Sequence, residues 1–136
     1  MFRLISKRHI SFNPEYAFEM SSSTIRFGRG VTKEIGSDLS NLGLKDNICV
    51  ITDQNMVHLE PFKKVIESLT AAGIKFKVFD NVSVEPTDKS LEIAIKYSRE
   101  NNFNGFVAVG GGSVIDTAKV VSFYLNQILH YLLNII

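Results

Sequence analysis

Apolar and polar positions change their spacing several times along this chain, and each change predicts an element. Val31, Ile35, Leu39 and Leu42 recur at steps of three and four. That places them on one side of a helix, which Gly43 ends. Ile48-Cys49-Val50-Ile51 is apolar without a break until Thr52, the pattern of a strand covered on both faces. Asp53 stands just past its carboxyl end. Phe62, Val65, Ile66 and Leu69 return to helical steps, with Pro61 near the start and Gly73 beyond the end. Ile74, Phe76 and Val78 alternate with Lys75 and Lys77, which predicts a half-exposed strand towards a sheet edge. Thr87 and Asp88 can cap a helix whose inner face is Leu91, Ala94, Ile95 and Ser98, and Asn101-Asn102 break it. Phe106-Val107-Ala108-Val109 predicts a further strand, followed by glycines and then by helix-compatible spacing.

Three stretches stand apart from this pattern. Thr24-Ile25-Arg26-Phe27-Gly28 alternates briefly and is expected to be an edge strand or hairpin. Met1 to Pro14 carries Arg3, Lys7 and Arg8 with no acid before Glu15, and Phe2, Ile5 and His9 share one helical side. Basic, acid-free and amphipathic is the pattern of a mitochondrial presequence, with a disordered basic tail as the alternative. Its apolar part is too short and broken for a secretory signal, and residues 1–15 are set outside the fold. From Val120 to Ile136 there is no charged residue, and apolar side chains cover every side of a helix. Such a helix is normally wholly buried. A membrane span wants about 20 predominantly apolar residues, and Asn126, Gln127, His130 and Asn134 interrupt this run. The expectation for 120–136 is therefore a divergent, poorly packed end of a truncated or alternatively ended chain, not an anchor.

Strand, helix, strand, helix, strand, helix is the order of right-handed βαβ units. The expected fold is α/β: a Rossmann-like parallel sheet with flanking helices, over residues 16–119. A chain of 136 residues suits one domain. Net charge is +1, with both signs interspersed and no basic stripe, which argues against a nucleic-acid partner. Cys49 is the single cysteine, so no intrachain disulfide forms; it reads as a small buried hydrophobe. His9, His58 and His130 are far apart and show no metal-ligand spacing.

The chemistry concentrates in Gly110-Gly111-Gly112-Ser113, where a strand is expected to turn into a helix. Glycines keep side chains away from whatever lies above the turn and permit positive φ. The first amides of the helix lack an intrahelical partner and carry the positive end of its dipole, so an anion docks there readily. The turn is not a Walker loop, because no Gly-Lys-Ser/Thr follows the glycines. Nor is it the standard dinucleotide fingerprint, whose acidic residue comes about 20 positions later. In open parallel sheets ligands sit beyond the carboxyl ends of the strands. Asp53 and Gly110 to Ser113 are both expected at such ends.

The longer string GGGSVIDTAK resembles the GGGSxxDxxK signature of the iron-dependent (group III) alcohol dehydrogenases, matching at Gly110, Gly111, Gly112, Ser113, Asp116 and Lys119. The resemblance covers roughly Tyr16 to Lys119. Residues 16–20, 31–34 and 80–88 are similar to a mitochondrial transhydrogenase branch of that family. It implies the amino-terminal nucleotide-binding domain of the dehydroquinate synthase-like fold. In the family an all-helical domain follows, whose aspartate and three histidines hold iron or another divalent metal. No such segment is recognised in this chain, so it is expected to be an amino-terminal fragment, inactive alone, with no metal ligand and no catalytic residue assigned. A complete enzyme of this kind would oxidise 4-hydroxybutyrate to succinate semialdehyde and reduce 2-oxoglutarate to 2-hydroxyglutarate through bound NAD.

By the same resemblance, Gly111, Gly112 and Ser113 would hold the pyrophosphate. Asp53 would accept from the adenosine ribose and favour NAD over NADP; a turn or helix-cap aspartate is the alternative. Asp116 and Lys119 would be cofactor-site positions, or else an exposed i,i+3 ion pair. Glu85 stands where many relatives carry asparagine near the nicotinamide, and Thr87 reads as a helix cap. The partners implied are the dinucleotide, a small hydroxyacid or oxoacid, and a second copy of the chain, in the mitochondrial matrix. Two other readings are open: a non-catalytic nucleotide-binding fragment, and another metal-dependent alcohol or glycerol dehydrogenase.

Overall fold

The computed structural model describes residues 26–125 together with the backbone of 132–135. Helix α1 (Ile35–Asn41) leads into strand β1 (Ile48–Ile51), helix α2 (Glu60–Ala71) and strand β2 (Phe76–Phe79). Helix α3 (Asp88–Asn101), strand β3 (Gly105–Val109), helix α4 (Gly112–Tyr124) and strand β4 (Leu132–Ile135) complete the order. The strands form one parallel sheet in the order β2-β1-β3-β4. The chain thus steps from β1 to β2 on one side, then crosses back to β3 on the other. The crevice between the carboxyl ends of β1 and β3 is the switch point at which such sheets bind ligands.

Period-two alternation along β1 and β3 divides the core in two. Ile48, Val50, Val107 and Val109 pack against Ile35 and Leu39 of α1 and Phe62, Val65 and Leu69 of α2. Cys49, Ile51, Phe106 and Ala108 pack against Ala94 of α3 and Val114, Ala118 and Val121 of α4. Every residue of β1 and β3 is buried, which is why both runs had to be continuously apolar. Burying an aliphatic side chain contributes about 1.5–3 kcal/mol, so these two strands and the helices packed on either face hold the fold together. Cys49 sits among them, and burial pushes its thiol pKa well above the usual range, which makes it an unreactive packing group.

Local chemistry sets the element ends. Thr87 and Ser90 form a reciprocal capping box at α3: Ser90 N–H donates to Thr87 Oγ1, and Thr87 N–H donates to Ser90 Oγ. Asn102 closes the same helix in the left-handed region at φ 48°. Helices α1 and α2 approach closely at Gly36, where an added Cβ would lie 2.3 Å from the Ser68 carbonyl oxygen. Ser68 Oγ accepts from Gly36 N–H and donates to the Lys33 carbonyl, which locks that crossing.

Several expectations change. The helix predicted from Val31 divides into a 3-10 turn, Val31–Glu34, and α1. The strand predicted from Ile74 begins at Phe76 and ends at Phe79, whose ring is buried beside Tyr97. As predicted, it lies at the sheet edge among the described residues. Arg26 to Gly28 form no strand. Arg26 instead makes ion pairs with Glu34 and Asp38. Thr24 and Ile25, like the proposed presequence, lie outside the described residues.

The largest correction concerns the apolar end. It is not one helix: α4 stops at Tyr124, and Leu132–Ile135 adds a strand beside β3, pairing Phe106 with Leu132 and Val109 with Ile135. A run apolar on all sides suits a strand in a parallel sheet as well as a buried helix, and periodicity alone does not separate them. Among the described residues, no helix is long and apolar enough to cross a membrane.

Candidate functional site

The sheet register brings the sequence-predicted site together. Ile51 lies opposite Ala108, so two residues further on Asp53 and Gly110 leave the sheet at the same level. Thr52 fastens that edge. Its N–H donates to the Phe79 carbonyl of β2, and its hydroxyl donates to the Val109 carbonyl of β3 at 2.7 Å. Thr52 is fully buried, so both bonds lie beneath the crevice floor. Sequence reasoning treated Thr52 only as the end of a strand. The available signal was a β-branched hydroxyl closing an otherwise apolar run, one residue before the candidate aspartate.

The three glycines do two different things. Gly110 is required by the fold: its φ is 154°, and a Cβ there would meet Val114 Cγ2 at 2.6 Å. Gly111 and Gly112 are not required in this way, since a Cβ on either would meet nothing within 4 Å. Glycine is a favoured N-cap at Gly111, whereas Gly112, the first residue of α4, adds no helix propensity of its own. What they provide is bare backbone facing open space. Gly111 is the N-cap of α4 and no side chain caps the helix. The Gly111 carbonyl accepts from Val114 and Ile115 N–H, whereas the amides of Gly111, Gly112 and Ser113 donate to no group among the described residues. Three uncommitted N–H groups at a helix N-terminus form a receptor for a phosphate-sized anion.

Around this turn the other candidates fall into place unequally. One carboxylate oxygen of Asp53, Oδ1, accepts from Asn55 and Met56 N–H at 2.9 Å each. Asp53 therefore does cap the following turn, and its Oδ2 accepts from no group among the described residues. The loop between β2 and α3 arrives at the glycine turn: Glu85 N–H donates to Ser113 Oγ at 3.3 Å. Glu85 holds the left-handed conformation, φ 55°, unusual for its type. Asp116 and Lys119 lie further along α4, exposed, with 3.9 Å between their charged atoms. That is the weak surface pair weighed as the alternative in the sequence. Thr87 caps α3. A shallow hollow between α3 and α4, lined by Glu92, Ile95, Lys96, Arg99 and Tyr124 among others, contains none of these residues.

The arrangement fits a dinucleotide: uncommitted amides for a pyrophosphate and a spare carboxylate oxygen for a ribose hydroxyl. The family model of iron-containing alcohol dehydrogenases matches residues 22–135. The chain belongs to the iron-containing alcohol dehydrogenase family. It is 54% identical over 113 residues to the mitochondrial hydroxyacid-oxoacid transhydrogenase of Xenopus laevis, covering 83% of this chain and 24% of that protein. The human protein of the same name is 50% identical over the same shares. Among solved structures, NADH-dependent butanol dehydrogenase A from Thermotoga maritima superposes with a TM-score of 0.69 at 26% identity, over 78% of this chain and 27% of that one. A 1,3-propanediol oxidoreductase superposes with 0.68 at 26% identity, over 73% and 26%. The chain thus spans about a quarter of the length of the relatives it matches. The matched span runs past Lys119 to residue 135 and so includes β4.

Family members named for hydride chemistry imply a nicotinamide cofactor and a metal. The glycine turn fits the first. For the second, no group of three or more His, Cys, Asp or Glu that could hold an ion occurs among the described residues. The described residues therefore do not fit the metal.

Proposed function

We propose that this chain forms the dinucleotide-binding part of a mitochondrial oxidoreductase of the hydroxyacid-oxoacid transhydrogenase type, acting on 4-hydroxybutyrate and 2-oxoglutarate. The observation that carries the reading is the pair of bare glycines, Gly111 and Gly112, with uncommitted amides facing open space at the switch point. In this reading Gly111, Gly112 and Ser113 donate to the pyrophosphate, and the α4 dipole adds to the attraction. Asp53 keeps Oδ1 on its turn and offers Oδ2 to the adenosine ribose. Its charge opposes a 2′-phosphate and selects NAD over NADP. Lys119 reaches towards ribose hydroxyls, releasing Asp116, and the Glu85 loop borders the nicotinamide end. The bound cofactor supplies the nicotinamide carbon that accepts and returns hydride.

The substrate pair and the mitochondrial location rest on similarity to the named transhydrogenases and on the basic amino-terminal stretch. Because the described residues do not fit a metal, no turnover of 4-hydroxybutyrate with 2-oxoglutarate is expected from this chain alone, with or without added ferrous ion. Measured turnover would overturn that part. Calorimetric titration with NAD tests the site itself, comparing wild type with Gly112→Val and Asp53→Ala. Both substitutions should weaken binding, Gly112→Val more. If neither does, the assignment is wrong.

A further inference from the structure

Thr52 is the least expected group near the site. It is fully buried and polar, at the end of a strand that is otherwise apolar throughout. Its side chain does not cap a turn or face solvent. The paired register of β1 and β3 ends at Ile51 and Ala108. The Thr52 hydroxyl then reaches across at 2.7 Å to the Val109 carbonyl, extending the link one residue beyond the ladder. The Thr52 amide holds β2 in the same way, through the Phe79 carbonyl at 2.8 Å. One residue therefore ties three strand ends together immediately before two of them diverge. Asp53 follows Thr52 directly, and Gly110 follows Val109 directly. The bond thus joins the two residues from which the ribose group and the phosphate turn depart.

We infer that Thr52 is a positioning residue for the dinucleotide: its hydroxyl-to-Val109 bond fixes the separation between the Asp53 carboxylate and the Gly111–Ser113 amides. The inference rests on the dinucleotide reading above. A dinucleotide has a fixed span between adenosine ribose and pyrophosphate, so both contacts form together only if the two strand ends keep their spacing. The β1–β3 ladder does not reach this level, since its last pair is Ile51 with Ala108. A hydrophobic side chain of the same shape would keep the packing and lose the tie. A serine would keep the tie and lose only a methyl group.

Calorimetric titration of the full chain with NAD, alongside thermal unfolding of each variant, tests the inference. Thr52→Val, folded at the titration temperature, should bind NAD roughly three- to tenfold more weakly, the worth of one hydrogen bond. Thr52→Ser should bind within about twofold of wild type. If Thr52 acts through spacing, the loss from Thr52→Val should shrink in an Asp53→Ala background, where only the phosphate contact remains. A purely structural role predicts a lower melting temperature with no such coupling. Wild-type affinity in Thr52→Val, equal weakening in Thr52→Ser and Thr52→Val, or additive losses with Asp53→Ala each overturn it. The serine comparison stands even if Thr52→Val fails to fold. Failure of the underlying reading looks different: Gly112→Val would then bind NAD as wild type does.

Discussion

The two edges of the parallel sheet are finished differently. At the amino edge the protein satisfies itself. Asn47 Nδ2 donates to the carbonyls of Asn101 and Asn102, and the Asn47 carbonyl accepts from Asn104 N–H. Asn104 Nδ2 reaches the Asp46 carbonyl, Lys75 N–H reaches the Lys45 carbonyl, and Lys77 pairs with the Asn101 side chain. At the carboxyl edge the Thr52 ties are followed by a single loop contact, Glu85 N–H to Ser113 Oγ, among the described residues. Among the described residues Gly111, Gly112 and Ser113 keep their amides uncommitted, and Asp53 keeps one oxygen. Unpartnered amides are tolerable where solvent or a ligand can reach them. The difference separates an edge that serves folding from one that serves binding, within a single sheet.

Substitutions at the two edges should therefore move different quantities. The largest expected effect is on folding, at the one glycine of the motif that the fold needs. Gly110→Ala forces a Cβ against Val114 and strains the backbone, and chemical denaturation should show a loss of about 2–4 kcal/mol. At the amino edge, Asn47→Ala removes two side-chain hydrogen bonds at a left-handed position. It should cost about 1–3 kcal/mol and leave NAD affinity unchanged in calorimetry. An affinity change there would erase the contrast between the edges. Gly112→Val should show the reverse split: unfolding stability within about 0.5 kcal/mol of wild type, but NAD binding roughly tenfold weaker or worse.

Smaller effects sharpen the picture. Asp53→Asn keeps an acceptor for Asn55 and Met56 and removes the charge. The preference for NAD over NADP should fall about fivefold, with little change in stability. Competition titrations with the two cofactors read this directly. Asp116→Ala removes only an exposed pair of 3.9 Å and should change stability by less than about 0.5 kcal/mol. Lys119→Ala should do no more to stability, so any loss of NAD affinity it causes belongs to the cofactor.

Much of this was legible in the chain. Strands buried on both faces must be continuously apolar, so β1 and β3 announced themselves. The glycine turn followed β3 without a gap, and Thr87 carried its capping role in its place just before the Leu91, Ala94, Ile95 and Ser98 face, although its reciprocal partner Ser90 did not show. What the sequence hid was non-local or ambiguous. The apolar run after Lys119 has no period that separates helix from strand, and only pairing with β3 reveals Leu132–Ile135 as a strand. The contact of Glu85 with Ser113 depends on the path of a loop. The partner of Thr52 lies on another strand, and Asp53 turned out to cap a turn while keeping an oxygen to spare. The resemblance set Gly111 and Gly112 apart from Gly110, but the physical reason lies in their surroundings.

The central claim is that uncommitted peptide N–H groups at the start of α4 receive a pyrophosphate. Amide-resolved nuclear magnetic resonance of the full chain, titrated with NAD, tests it most directly. The account expects the largest saturable shifts at the amides of Gly111, Gly112 and Ser113, with Asp53 following, while Asn47 and Asn104 stay still. Saturable binding that leaves those three amides unmoved would contradict it.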